Sequence, residues 1–155
     1  MKIEISNGRV VDPANRIDLV QDVFIADGKV VALGQAPDGF AAERRIDASG
    51  LVVAPGFIDL AARLREPGFE YRATLESEME AAMAGGITSL AIPPDTDPVL
   101  DEPGLVEMLC YRAKKLNRAH IYAVGALTVG LKGERLAEMA ELVEAGCVAF
   151  SQANV

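Results

Sequence analysis

The first third of the chain alternates polar and apolar residues over short spans. Lys2-Ile3-Glu4-Ile5 has the two-residue period of a half-buried strand. Val10-Val11 follows an Asn7-Gly8 turn, and apolar runs at 22–25 and 29–33 flank Asp27-Gly28. Asp-Gly between two apolar runs is a strong hairpin signal, because both turn positions favour positive φ. Val52-Val53-Ala54 then leads into Pro55-Gly56. Past Pro55 the period changes. Residues 57–62 predict a buried strand, and 73–84 a helix with Leu75, Met79, Ala82 and Met83 on one face, ended by Gly85-Gly86. Residues 88–92 predict a strand. A second helix follows, with Asp101 as N-cap, Pro103 in its first turn and Leu105, Met108, Leu109 and Leu116 as its apolar stripe. Residues 120–126 predict a third strand. A third helix is expected over 134–145, with Leu136, Met139, Ala140 and Val143 inward and Glu138, Glu141 and Glu144 outward. Residues 147–150 predict a fourth strand.

This order predicts an α/β chain in two parts. Residues 1–54 are expected to form a β-sandwich-like module. Residues 55–155 repeat strand and helix about every 30 residues, the length of a right-handed βαβ crossover. Four parallel strands and three helices make the N-terminal half of a (β/α)8 barrel of the TIM type, a fold that takes about 250 residues. Half a barrel leaves two sheet edges open. The expectation is therefore a truncated part of a longer protein, or a chain that completes itself by association.

Composition narrows the function classes. Half of the 155 residues are hydrophobic, a quarter are charged, and the formal net charge is −8. That charge argues against nonspecific nucleic-acid binding and against anionic membrane surfaces. No apolar run has the length of a membrane span, and the N-terminus lacks a signal-peptide pattern. Cys110 and Cys147 sit in apolar contexts and predict buried free thiols, as in a cytoplasmic protein. His120, the sole histidine, opens a predicted strand and is expected to be structural. Gly85-Gly86 precedes a strand and is a turn device, not a nucleotide cradle.

The chemistry-bearing positions lie where barrel enzymes carry theirs, just after the strands. Residues 55–68 read Pro55-Gly56-Phe57-Ile58-Asp59-Leu60-Ala61-Ala62-Arg63-Leu64-Arg65-Glu66-Pro67-Gly68. After the second strand comes Ile92-Pro93-Pro94-Asp95-Thr96-Asp97-Pro98, and after the fourth Phe150-Ser151-Gln152-Ala153-Asn154. Together with Gly125-Ala126-Leu127-Thr128 and Gly130-Leu131-Lys132-Gly133-Glu134, these segments resemble the dihydroorotases, a family of cyclic amidohydrolases. The similarity is greatest to the bacterial type that associates with aspartate transcarbamoylase, and within it to noncatalytic dihydroorotase-like proteins. It covers essentially the whole chain, as the N-terminal part of such a protein.

The resemblance implies a set of losses. Active relatives carry His-x-His where this chain has Ala61 and Arg63, and an Asp ligand where it has Gln152. Alanine offers no donor atom, and arginine brings a positive charge to a cation's place. No metal is therefore expected, although zinc is the cofactor of active relatives. Arg65 matches an arginine that grips the substrate carboxylate. It either keeps a vestigial anion pocket or serves as a structural partner of Glu66 or another loop acid. Asp95 replaces a substrate-binding asparagine and is expected to repel a carboxylate. Asp97 and Asp101 read as a solvated acidic turn. Arg63 is a candidate surrogate cation, pairing with Asp59 or Asp95.

With these positions changed, the resemblance implies a catalytically inactive protein that stabilises or assembles aspartate transcarbamoylase in pyrimidine biosynthesis. The expected partner is the transcarbamoylase catalytic chain, alongside self-association. One alternative is an active enzyme interconverting N-carbamoyl-aspartate and dihydroorotate at an atypical metal site, with Asp59 or Asp95 moving the proton. Another is a sensor of anionic pyrimidine precursors built on Arg65.

Overall fold

The computed structural model describes residues 1–153. The chain divides into two compact units, Met1–Pro55 and Gly56–Val155.

The first unit holds seven short strands in two sheets. They are β1 (Lys2–Ser6), β2 (Arg9–Asp12), β3 (Ile17–Val20), β4 (Val23–Ala26), β5 (Lys29–Leu33), β6 (Arg44–Asp47) and β7 (Val52–Val53). One sheet has the order β5-β4-β1-β6 and the other β3-β2-β7. The β4–β5 hairpin turns at Asp27 and Gly28, both with positive φ (51° and 75°), the geometry that matches strand twist. Val10, Val23, Phe24 and Ala48 are buried, and Phe40 meets Phe24 edge-on at 5.3 Å. Gly8 permits close packing of β2's start: a Cβ there would lie 2.5 Å from Val53 Cγ2. Strands β3 and β6 have no counterpart in the sequence expectation. Both are mostly exposed four-residue edge strands; β6 is rich in charge, and β3 is too short for its apolar residues to show a period.

The second unit alternates strand and helix: β8 (Phe57–Asp59), α1 (Leu75–Ala84), β9 (Ile87–Ile92), α2 (Pro103–Leu116), β10 (His120–Ala126), α3 (Met139–Glu144) and β11 (Cys147–Ser151). The strands lie in the order β11-β10-β9-β8, every neighbour parallel. Consecutive strands joined through helices and adjacent in one parallel sheet make this a partial TIM-barrel-like arrangement, with an accessory sheet module in the first unit. Leu90 and Ile92 of β9 pack with Leu75 and Met79 of α1 and Leu109 of α2. A second cluster joins Val106, Ala123, Leu142 and Cys147. No helix among the described residues is long and apolar enough to cross a membrane.

Local chemistry sets the helix ends. Thr74 caps α1 in a capping box with Ser77, so the helix starts at Leu75 and not at 73. Pro103 takes the first position of α2, and Asn117 ends it in the left-handed region at φ 50°. Its N-cap is Glu102, not Asp101. The third helix departs furthest from expectation. Only Met139–Glu144 is helical; Val129–Leu131 forms a 3-10 turn, and Leu142 is the buried residue of α3. Leu136 and Val143, expected inward, are 60% and 55% exposed. Gly130 and Gly133, both at positive φ, hold residues 130–133 in a loop and delay the helix. The expected buried strand over 57–62 shortens to β8, with Phe57, Ile58 and Leu60 exposed. Among the described strands β8 is a sheet edge with β9 as its one neighbour.

Candidate functional site

The site positions lie just past the ends of β8, β9 and β11. Asp59 closes β8, and its Oδ1 accepts a hydrogen bond from the Ala61 N–H at 2.9 Å. The ladder resumes at Ala62, whose N–H donates to Ala91 O at 2.9 Å. Ala62 and Leu64 are buried in the α1–β9 core. Successive side chains of an extended segment point to opposite sides, so Ala61 and Arg63 face away from that core. Both are exposed.

Arg63 does not stand alone. Its Nε donates to Asp95 Oδ2 at 2.5 Å, linking the segment after β8 to the segment after β9. Asp95 is largely buried while the guanidinium is half in water. The hydrogen bond to Asp95, reinforced by its charge, pushes the Arg63 pKa above the usual arginine value. Of the two acids in reach by sequence, Asp95 is the partner, while Asp59 serves the turn at Ala61.

Arg65 sits in the left-handed region at φ 65°, and its carbonyl accepts from the Phe69 N–H at 2.8 Å. With Arg63, Phe69, Asp95 and Thr96 it lines a hollow of about 10 Å³, room for about one water. Arg65 and Asp95 are thus brought together, as the sequence positions imply. Glu66 is not Arg65's partner. Buried to 3% exposure, Glu66 accepts from the Leu75 N–H at the start of α1 through Oε2 (2.7 Å) and pairs with Arg112 of α2 through Oε1. Nothing in the spacing of residues 66 and 112 announces this pair. Glu66 lies nine residues ahead of Leu75, so no local signal points to its place at the helix start either.

The loop bearing Glu66 also touches the loop bearing Asp95. Asp97 N–H donates to Pro67 O at 3.2 Å, and a Cβ on Gly68 would fall 2.1 Å from Asp97 O. Gly68, at φ 98°, is therefore required by close backbone approach as well as by conformation. Asp101 is not part of a solvated turn: its Oδ2 accepts from the Gly130 N–H at 2.6 Å.

Gln152 is tied into the loop after β10. Its Oε1 accepts from Thr128 Oγ1 at 2.8 Å, and its Nε2 donates to Leu131 O at 2.7 Å. Thr128 Oγ1 in turn accepts from the Gly133 N–H at 2.9 Å. Asn154, the last residue of that motif quoted from sequence, lies outside the described residues. His120 is exposed at the first residue of β10, the opposite end of that strand from these loops. Cys110 and Cys147 are free; Cys147 is buried as expected, whereas Cys110 is only partly buried. Burial raises both thiol pKa values, and with Cys110 nearby Cys147 reaches about 11. Neither is a thiolate nucleophile at neutral pH.

The donor set does not fit a zinc ion. Ala61 has no donor, Arg63 places a guanidinium against Asp95, and both ends of the Gln152 amide are engaged by the β10 loop. Among the described residues, no group of three or more His, Cys, Asp or Glu side chains is placed to hold a metal ion.

Comparison with known proteins matches this geometry to a family. Residues 50–155 match the Dihydro-orotase-like family model. Over 151 residues the chain is 50% identical to a dihydroorotase-like protein of Pseudomonas aeruginosa, covering 97% of this chain and 36% of that protein. It is 47% identical over 151 residues to a dihydroorotase of Syntrophotalea carbinolica, covering 97% and 35% respectively. Among solved structures it is similar to the L-hydantoinase (dihydropyrimidinase) of Arthrobacter aurescens, with TM-score 0.80, 25% identity and coverage of 96% of this chain and 32% of that one. The chain thus spans about a third of the length of these relatives. It belongs to the dihydroorotase-like family of the cyclic amidohydrolases.

Proposed function

We propose that this chain is part of a noncatalytic dihydroorotase-like protein that stabilises or assembles aspartate transcarbamoylase in the cytoplasm. The observation that carries the reading is the Arg63–Asp95 pair. Hydrolysis of a cyclic amide in this family's manner needs a metal to polarise the carbonyl and supply hydroxide near neutral pH. After β8 and β9, Arg63 and Asp95 form an ion pair at the position to which the resemblance to active relatives assigns a dication. Of the two acids near this rim, Asp95 is committed to Arg63 and Asp59 to the Ala61 N–H. The high identity to a Pseudomonas aeruginosa protein named as dihydroorotase-like agrees with this reading. What remains useful in a fold without its metal is its surface.

Size-exclusion chromatography with light scattering tests it directly. The full-length protein is mixed with the aspartate transcarbamoylase catalytic chain of the same organism. The expected result is co-elution at a defined larger mass, with no zinc-dependent turnover of dihydroorotate. Separate elution, or turnover that rises with added zinc, refutes the proposal.

A further inference from the structure

A groove of about 220 Å³ lies between the segment entering α2 and the segment entering α3. Its walls come from the connections after β9 and β10, the two central strands of the parallel sheet, and not from either open sheet edge. Three features set it apart from the rest of the surface.

The first is an exposed apolar side chain on an immobilised backbone. Leu136 lines the groove at 60% exposure. It bridges Thr128 in antiparallel fashion, and its neighbours are pinned on both sides. Val129 N–H donates to Arg135 O at 2.9 Å, and Ala137 N–H donates to Leu127 O at 3.0 Å. An exposed leucine on a flexible loop has to be ordered before it contributes to binding. One already held in place avoids most of that cost.

The second is the brace beneath it. Gln152 fastens Thr128 and Leu131, and Asp101 fastens Gly130, so four hydrogen bonds counting Gly133 N–H to Thr128 fix the loop from two sides. The residue at a lost metal position thus shapes the loop that carries Leu136.

The third is charge. Asp101, Glu102, Glu138 and Glu141 line the groove against the single base Arg135. An apolar centre with an anionic rim is complementary to an apolar side chain ringed by lysine or arginine, an arrangement that steers association and fixes register.

We propose that this groove, centred on Leu136, is a docking site for a protein partner presenting an apolar side chain surrounded by basic residues. The proposal rests on the assembly reading above, and names the surface that would carry it.

The test measures affinity of the full-length protein for the aspartate transcarbamoylase catalytic chain at low and high salt. It compares wild type, Leu136→Asp, the charge reversal Glu138→Lys/Glu141→Lys, and Leu19→Asp, an exposed leucine on β3 of the other unit. Leu136→Asp is expected to weaken binding by about tenfold or more. The charge reversal should weaken binding at low salt and flatten its salt dependence, and Leu19→Asp should bind like wild type. Because the altered side chains are exposed, unchanged circular dichroism accompanies these effects. Wild-type affinity in both groove variants overturns the groove while leaving the assembly reading intact. No binding by wild type overturns the assembly reading, and this site with it.

Discussion

Arg63 Nε and Asp95 Oδ2 lie 2.5 Å apart, joining the segments that follow two adjacent strands. A bound dication would tie such segments together through shared ligands. Here one hydrogen-bonded ion pair does so, and with Arg63 half in water its net contribution to stability is modest.

That replacement has a direct consequence for metal content. After dialysis against zinc, the wild-type protein is expected to retain far less than one zinc per chain. The double variant Ala61→His/Arg63→His should retain more, since it restores two neutral imidazoles and frees Asp95. Elemental analysis of dialysed samples distinguishes the two. Zinc near one per chain in the wild type, or no gain in the variant, would contradict this account.

Glu66 is the buried carboxylate of the unit, and its role is architectural. Glu66→Ala should destabilise the protein by about 2 kcal/mol, because the Leu75 N–H loses a charged acceptor and Arg112 loses its partner. Arg112→Ala should cost less, about 1 kcal/mol, since that guanidinium is half-exposed. Urea midpoints report both. A larger effect for Arg112 than for Glu66 would reverse this assignment.

Met79 and Leu136 separate packing from presentation. Met79 is fully buried against β9 and α2, so Met79→Ala should cost about 2–5 kcal/mol. Leu136→Ala should change stability by less than about 0.5 kcal/mol, as expected for an exposed side chain. Thermal melts of the two variants check the contrast, and a large loss for Leu136 would show it to be part of the core.

Cys147 gives the protein an alkaline limb. Its folded-state pKa is raised from 9.0 to about 11 by burial and by Cys110. The folded state therefore favours the protonated thiol. This contribution to stability is complete below about pH 9 and is lost as pH rises through about 11. Cys147→Ala should flatten stability over that window, and native-state alkylation at pH 8 should be slow at both cysteines. Fast labelling at pH 8 would contradict the burial seen here.

Much of this architecture was legible from residue pattern. The Asp27-Gly28 hairpin, the strand–helix alternation past Pro55, and the facing of Leu75 and Met79 each rest on a local signal that tertiary structure left intact. For Arg63 the pattern left Asp59 and Asp95 both open as partners, and the structure shows Asp95. The start of the third helix was not legible. Leu136, Ala140 and Val143 have helical spacing, yet Gly130 and Gly133 favour a loop, and the loop's hydrogen bonds to Gln152 and Asp101 hold residues 128–137 out of the helix. The Glu66–Arg112 pair was hidden for a different reason. It joins residues 46 positions apart, through a helix face that pattern alone leaves pointing to solvent.

Gly68 sets a different kind of limit on how such a protein diverges. Ala61 stands exposed after β8, where another side chain has room without moving the backbone. Gly68 has no such freedom, because any larger residue would collide with the carbonyl of Asp97 and displace the segment that carries Asp95. A side chain on this rim can therefore change where its neighbours leave room, while the outline that Gly68 sets cannot.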